Sequence, residues 1–348
     1  MRSRAWLVVL VLVSGCSAGG GPGTAAASPV TGGPTATGGP AAVSASPTGP
    51  APTASAGTPA CTIFPADNVW HADISRLPRH RDSAAYVASI GAGRGVHPDF
   101  GAGQWDGGPI GIPVTVVPAG QAGVKVSFEY AAESDRVAYP IPRNAKIEGG
   151  PNSDGDRHII LLDRARCRSY ELFDAHPQSG GTWRAGSGAV FDLRANRLRP
   201  RGWTSADAAG LSILAGLVRY EEVAAGRVDH AIRVTAPRTR DAYVWPARHA
   251  ASSSTDRTLP PMGLRLRLKS SVDISGLPRP ARIVAEAMKR YGVILADNGS
   301  PWFISGAPDE RWNNDALRAL GTLHGSDFEA VDTSSLIVGP DSAAARRR

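Results

Sequence analysis

The stretch Glu148-Gly-Gly-Pro-Asn-Ser-Asp-Gly-Asp-Arg-His158 places Glu148, Asn152, Asp154, Asp156, Arg157 and His158 within eleven residues and runs directly into the apolar Ile159–Leu162. A strand holds polar groups at its mouth rigidly enough to meet a ligand. Carboxylates beside a histidine suit acid–base cleavage of a glycoside, where one group gives a proton and another stays ionised. The following strand, Ser169–Phe173, carries Glu171, and Asp174 follows it. If residue 158 pairs with 174, Asp156, His158 and Asp174 share a face and Glu171 points to the other. A slip of one residue exchanges the faces. Asp156, His158, Glu171 and Asp174 are therefore the candidate catalytic residues, with Glu148 and Asp154 as candidate ligand contacts. Asn152, Asp154 and Asp156 also have the alternate spacing of a calcium loop, but Arg157 stands where such a loop needs Gly. The plainer reading is a tight turn in which Asn, Asp and Gly adopt positive φ.

A second group lies at Asp229, His230 and Arg233, with Trp245, Arg248 and His249 further on. Aromatic faces stack on sugar rings and guanidinium forks bind acidic groups, so His230, Arg233, Trp245 and His249 are candidate ligand-binding residues. The competing reading is a buried Trp with charged neighbours on a solvated edge. Trp203–Asp207 reads as a helix start, with Thr204 or Ser205 as cap and Asp207 favouring the dipole. Glu133 and Asp135 read as loop solvation rather than cleft lining. No His-Glu-x-x-His, Cys-x-x-Cys, Gly-x-Ser-x-Gly or Gly-rich phosphate loop occurs, so neither a metal nor a cofactor is expected.

The elements that would carry these groups are mostly short strands. Ile112–Val117, Val124–Tyr130, Ala189–Leu193, Val293–Ala296 and Trp302–Ser305 are β-like. His158–Asp163 and Ser169–Phe173 form a predicted hairpin, and His230–Thr235 with Ala242–Trp245 a second. In Gly263–Lys269, Leu264, Leu266 and Leu268 alternate with Arg265, Arg267 and Lys269, the pattern of a half-buried strand with one solvated face. Ser83–Ile90, Pro278–Tyr291 and Asp315–Leu320 have helical character. Many short strands with Gly/Pro turns predict a mainly β single domain, a β-sandwich or jelly-roll-like unit with a few helices, over residues 61–340.

The chain opens with a basic Met1–Arg4, an apolar Ala5–Val13 and then Ser14-Gly15-Cys16. This is a secretory signal too short to span a membrane, and its end resembles the bacterial lipobox, which implies cleavage after residue 15 and acylation of Cys16. Residues 16–60, rich in Gly, Ala, Pro, Ser and Thr and without charge, read as a disordered tether, and residues 341–348 as a disordered tail. With Cys16 acylated, Cys61 and Cys167 remain as a pair, either bonded, as export favours, or separate buried thiols. The formal charge of +7 belongs largely to the termini; between them 33 basic and 30 acidic residues are interspersed, which argues against nucleic-acid binding.

Five segments together, Cys61–Trp70, Glu148–His158, Gly202–Gly210, Ala242–His249 and Ala296–Gly299, resemble a family of functionally uncharacterised exported bacterial proteins of actinobacterial type. The resemblance covers nearly all of 61–335 and implies export and one domain, with no catalytic residue to carry over. The sequence thus predicts a lipoprotein on the outer face of the cell membrane, its domain acting on extracellular glycan as a carboxylate-dependent hydrolase or lyase. The alternative is a non-catalytic glycan- or envelope-binding lipoprotein. In both readings the partners are the membrane, through the lipid, and a glycan or cell-wall ligand.

Overall fold

Strand β1 (His97–Asp99) lies parallel to β9 (Phe303–Ser305) at one side of a six-stranded mixed sheet in this computed structural model, which describes residues 61–346. The sheet continues through β6 (Ile232–Ala236), β8 (Val293–Asn298), β7 (Arg265–Leu268) and β10 (Phe328–Ala330), in the order β1-β9-β6-β8-β7-β10. A second sheet runs β5 (Ser187–Asp192), β4 (Arg168–Phe173), β3 (Ile159–Asp163), β2 (Val114–Val116). The expected sheet-rich unit with few helices is present, and the described residues 61–346 fall in one compact unit. The parallel pairs β1/β9, β6/β8 and β2/β3 set it apart from an all-antiparallel jelly roll. The signal, Cys16 and the tether lie outside the described residues.

The second sheet is a wall between two apolar cores. Ile160, Ala189 and Phe191 join the large core shared with the six-stranded sheet, while Ile159, Leu161, Tyr170 and Leu172 face a smaller one. Period-two alternation makes this possible: both faces of β3 are apolar, so both are covered. Helix α1 (Ser83–Ile90) packs beside β10. Helix α3 (Arg279–Arg290) connects β7 to β8 and buries Ala281, Ile283, Val284, Ala285, Ala287 and Met288. Pro280 fits its first turn, and Gly292, at φ 70°, follows its end. A Cβ at Gly292 would sit 2.2 Å from the Leu266 carbonyl oxygen, so only glycine lets α3 hand over to β8 there.

Three expectations are corrected. The face of β7 expected to meet water is covered by the opening segment: Arg265 donates to the carbonyls of Tyr291, Val69 and Ala72, and Arg267 to those of Ile74 and Leu77 and to Glu329. Long cationic side chains satisfy carbonyls that no strand pairs. The second predicted hairpin does not form, because β6 is already flanked by β9 and β8; Tyr243 instead bridges Met262. Asp341–Arg346 is not a loose tail: Ala343 and Ala345 are buried, and Asn68 bridges Ala344.

Cys61 and Cys167 are bonded, with Cα atoms 5.3 Å apart. The bond ties the start of the domain to the β3–β4 turn across 106 residues, a loop for which chain entropy accounts for up to about 4–5 kcal/mol.

Candidate functional site

The β3–β4 register decides which side chains meet. Ile159 faces Leu172 and Asp163 faces Arg168, so His158 lies opposite Phe173 rather than Asp174. That is the one-residue slip: His158 and Glu171 share a face, and Asp174 belongs to the other. The His158 ring accordingly packs 5.8 Å from the Phe173 ring.

His158 is 2% exposed, with Nδ1 2.5 Å from Glu148 Oε2 and Nε2 3.0 Å from the Ala206 carbonyl oxygen. Both neighbours accept hydrogen bonds, so the ring holds both N–H protons as an imidazolium. Burial pulls its pKa down, but the Glu148 carboxylate outweighs that and lifts it to about 9. Burial pushes Glu148 up in turn, and the imidazolium brings it below its ordinary value.

Arg233, on β6, is 5% exposed and binds three groups. Its Nε lies 3.2 Å from both Asp207 oxygens, its Nη2 3.0 Å from Asp207 Oδ1 and 2.8 Å from Asp297 Oδ2, and its Nη1 donates to Ser305 Oγ at 2.9 Å. Sheet register puts these partners in reach. Val234 faces Ile304 and Asp99 faces Ser305, so Asp99, Ser305 and Arg233 form one row across β1, β9 and β6. Asp297 reaches the row through a β-bulge: Val234 faces Leu295, but Thr235 faces Asp297, leaving Ala296 as the extra residue. Without it Asp297 would sit one place along and turn to the opposite face, the kind of re-aiming that bulges provide.

Asp207 comes from the Trp203–Leu211 loop, which is a turn rather than the expected helix start; α2 (Ile213–Gly216) begins later, under a Ser212 cap. Thr204 and Ser205 hydroxyls close that turn on the Asp207 carbonyl. The Asp207 carboxylate is thereby left free for Arg233.

The polypeptide gathers five carboxyl groups here, Asp99, Glu148, Asp156, Asp207 and Asp297, around two cations. The charges of the group act on one another: Arg233 and His158 pull Asp207 and Asp297 down, while Asp156 and Asp207 push Asp297 up. Burial is the largest influence and raises both aspartates, Asp297 to about 7. Asp99 is also raised, first because the crowded cluster strips water from its carboxyl group although the residue as a whole is exposed, and then by Glu148 and Asp156. Asp207 is fully enclosed, whereas the Asp297 and Glu148 side chains keep 21% and 25% of their surface and Asp156 and Asp99 are exposed. The cluster thus has a sealed floor and a rim open to solvent. Arg157 orders that rim: its guanidinium donates to the carbonyls of Pro151, Ser153 and Ala175, wrapping the loop that carries Asp156. Asp154 lies exposed on the same loop.

The other candidates are engaged elsewhere. Glu171 is completely buried and accepts from Ser169 Oγ, Ser212 Oγ and the Ile213 and Leu214 amides, closing the start of α2. Asp174 pairs with His176 and Arg184. His230 sits between the Ala231 carbonyl and Glu222. His249 meets the Ala208 carbonyl through Nδ1, and Trp245 donates to the Ser342 carbonyl. The structure therefore brings Asp156, His158, Glu148 and Arg233 together and leaves Glu171, Asp174, His230, Trp245 and His249 out. Among the described residues no three His, Cys, Asp or Glu side chains gather as a metal site.

Sequence reasoning missed Asp99, Asp207, Asp297 and Ser305. It also missed Trp105, which is 79% exposed on a hairpin pairing Gln104–Trp105 with Gly108–Pro109. Asp106-Gly107 between those strands, both at positive φ, is a recognisable two-residue turn signal. The hairpin rests on the Glu148 loop so closely that a Cβ at Gly108 would come within 2.1 Å of the Gly149 carbonyl carbon.

Comparison of the chain with protein families, curated proteins and solved structures finds no match.

Proposed function

We propose that this is an exported surface lipoprotein whose domain cleaves extracellular glycan by carboxylate acid–base chemistry, as a hydrolase or a lyase. The observation that carries this reading is the placement of Asp297, which the bulge turns to a half-open position 2.8 Å from Arg233 Nη2 among four further carboxyl groups, where burial raises it to about 7. A group that changes charge near neutral pH both gives and takes protons at working pH. In this reading Asp297 protonates the glycosidic oxygen in the hydrolase case, and Asp156 is the second carboxylate acting on water or on the sugar. Arg233 and Asp207 fix Asp297 in place, and the Glu148–His158 pair keeps the field around it. Trp105 offers an exposed ring beside the Glu148 loop, the surface a sugar would stack on.

The second reading, a non-catalytic glycan- or envelope-binding lipoprotein, draws on the same Trp105. Trp245, the aromatic first suggested for it, has its indole N–H committed to Ser342. The anchor rests on Cys16, and mass spectrometry of the mature amino terminus tests it: an unacylated terminus at any other residue contradicts a lipoprotein. The enzyme reading is tested by incubating the purified protein with polysaccharides and peptidoglycan, measuring product release and retention together. Release that vanishes in Asp297→Asn supports catalysis. Retention without release, unaltered by that substitution, supports the binding module instead.

A further inference from the structure

We infer that a second site, away from the carboxylate cluster, binds a phosphate monoester. A cavity of about 490 Å³ is lined by His80, Arg81, Asp82, Tyr86, Arg240 and Arg257. None of these residues belongs to the Arg233–Asp297 group. Its volume lies within the range of roughly 300–1,000 Å³ typical of small-molecule sites.

The charge in this cavity is unbalanced. Arg81 lies 3.5 Å from Asp82, the single acidic residue of the lining. Among the described residues neither Arg240 nor Arg257 has a carboxylate within ion-pair distance, and Arg240 Nε is enclosed without any hydrogen-bond partner. That enclosed N–H cannot itself reach a ligand, so the remaining guanidinium donors of Arg240 are the ones a ligand in the cavity would meet. The Arg240 guanidinium is held in place rather than loose: its carbon lies 5.9 Å from the Tyr86 ring centroid, and Tyr86 is 1% exposed on α1. The backbone on either side is fixed too, with the Arg240 amide donating to the Pro260 carbonyl and its carbonyl accepting from Ala242. His80 Nδ1 accepts from the Asp82 amide at 3.1 Å, which leaves Nε2 as that ring's available donor.

Two uncompensated guanidinium groups and a ring N–H match the charge and oxygen count of a phosphate dianion, which forked guanidinium donors recognise. The cavity has room beyond the phosphate for the sugar or other group that carries it. A monoanionic carboxylate would leave one cation unpaired.

Calorimetric titration of the full chain with glucose 1-phosphate, and with glucuronate as the monoanionic counterpart, tests this. The expected result is saturable binding of glucose 1-phosphate, no binding of glucuronate over the same concentrations, and weakening of about tenfold or more in Arg240→Gln and in Arg257→Gln. Arg257 is exposed, so Arg257→Gln keeps the fold and decides the matter if Arg240→Gln does not fold. Binding should be unchanged in Asp297→Asn, which separates this site from the acid–base cluster. Absence of saturable glucose 1-phosphate binding, equal binding of glucuronate, or affinity unaltered by Arg257→Gln would each overturn the assignment.

Discussion

Glu171 and Asp297 are both carboxyl groups carried on strands and pushed above their ordinary values by burial, yet they are suited to different work. Glu171 is sealed, and two hydroxyls and two backbone amides fill its oxygens. Among the described residues no cation approaches it, and no surface remains for a substrate. Asp297 has one guanidinium contact, shares that cation with Asp207, and keeps part of its surface open. The difference teaches that burial alone does not make an acid–base group. A carboxyl group must also be incompletely satisfied and reachable, and the large sheet provides this where its bulge turns Asp297 toward the rim.

The contrast can be broken at four places. Arg233→Leu should have the largest effect. It strands Asp207 at zero exposure and removes the shared cation, so a loss of about 3–5 kcal/mol is expected in denaturant unfolding, if the variant folds at all. Glu171→Gln comes next. Its amide NH₂ would face donors where an oxygen now accepts, costing about 1–3 kcal/mol. The pH–rate profile should be untouched, because Glu171 touches no accessible surface. Lost activity at unchanged melting temperature would instead place Glu171 in the site.

Asp297→Asn should act in the opposite direction on stability. A carboxyl group at about 7 when folded and near its ordinary value when unfolded holds an extra proton in the folded state between those two pH values. Its contribution to stability therefore falls as pH rises from roughly 4 to 7. Asparagine removes that loss, so the melting temperature of Asp297→Asn relative to the parent should climb across this interval, by about 2–4 °C for each 1 kcal/mol recovered. A difference independent of pH would mean that Asp297 titrates normally. Trp105→Ala should change stability least, within about 0.5 kcal/mol, since the ring is exposed. In a retention assay it should nonetheless weaken glycan binding.

Part of this arrangement was legible in the amino-acid order. Local polarity marked Glu148, Asp156 and His158, and alternation marked β3 and β4. Pairing Cys61 with Cys167 follows from the expectation of export and an even count, with two buried thiols as the alternative that the bond excludes. The register of β3 against β4 was not legible, because both faces are apolar enough to be buried, and so the partner of His158 was misplaced by one residue. Asp207 reads as a helix-start acid because its surroundings have the composition of a cap. The turn exists instead because Thr204 and Ser205 close on backbone carbonyls. Asp297 stood in plain view within Ala296-Asp-Asn-Gly299, but only pairing with β6 reveals the extra residue that turns it toward Arg233. Trp245 looked like a platform because nothing local shows that residues 341–346 fold back to accept its N–H.

The measurement that bears most directly on the central claim is carbon NMR of the full chain with carboxyl-labelled aspartate, titrated from pH 3 to pH 9. One resonance should move with a midpoint near 7 and be missing from Asp297→Asn. If every aspartate carboxyl group completes its titration below about pH 5, or if Asp297→Asn removes no late-titrating resonance, Asp297 is not the proton-exchanging group and the acid–base reading of this site is contradicted.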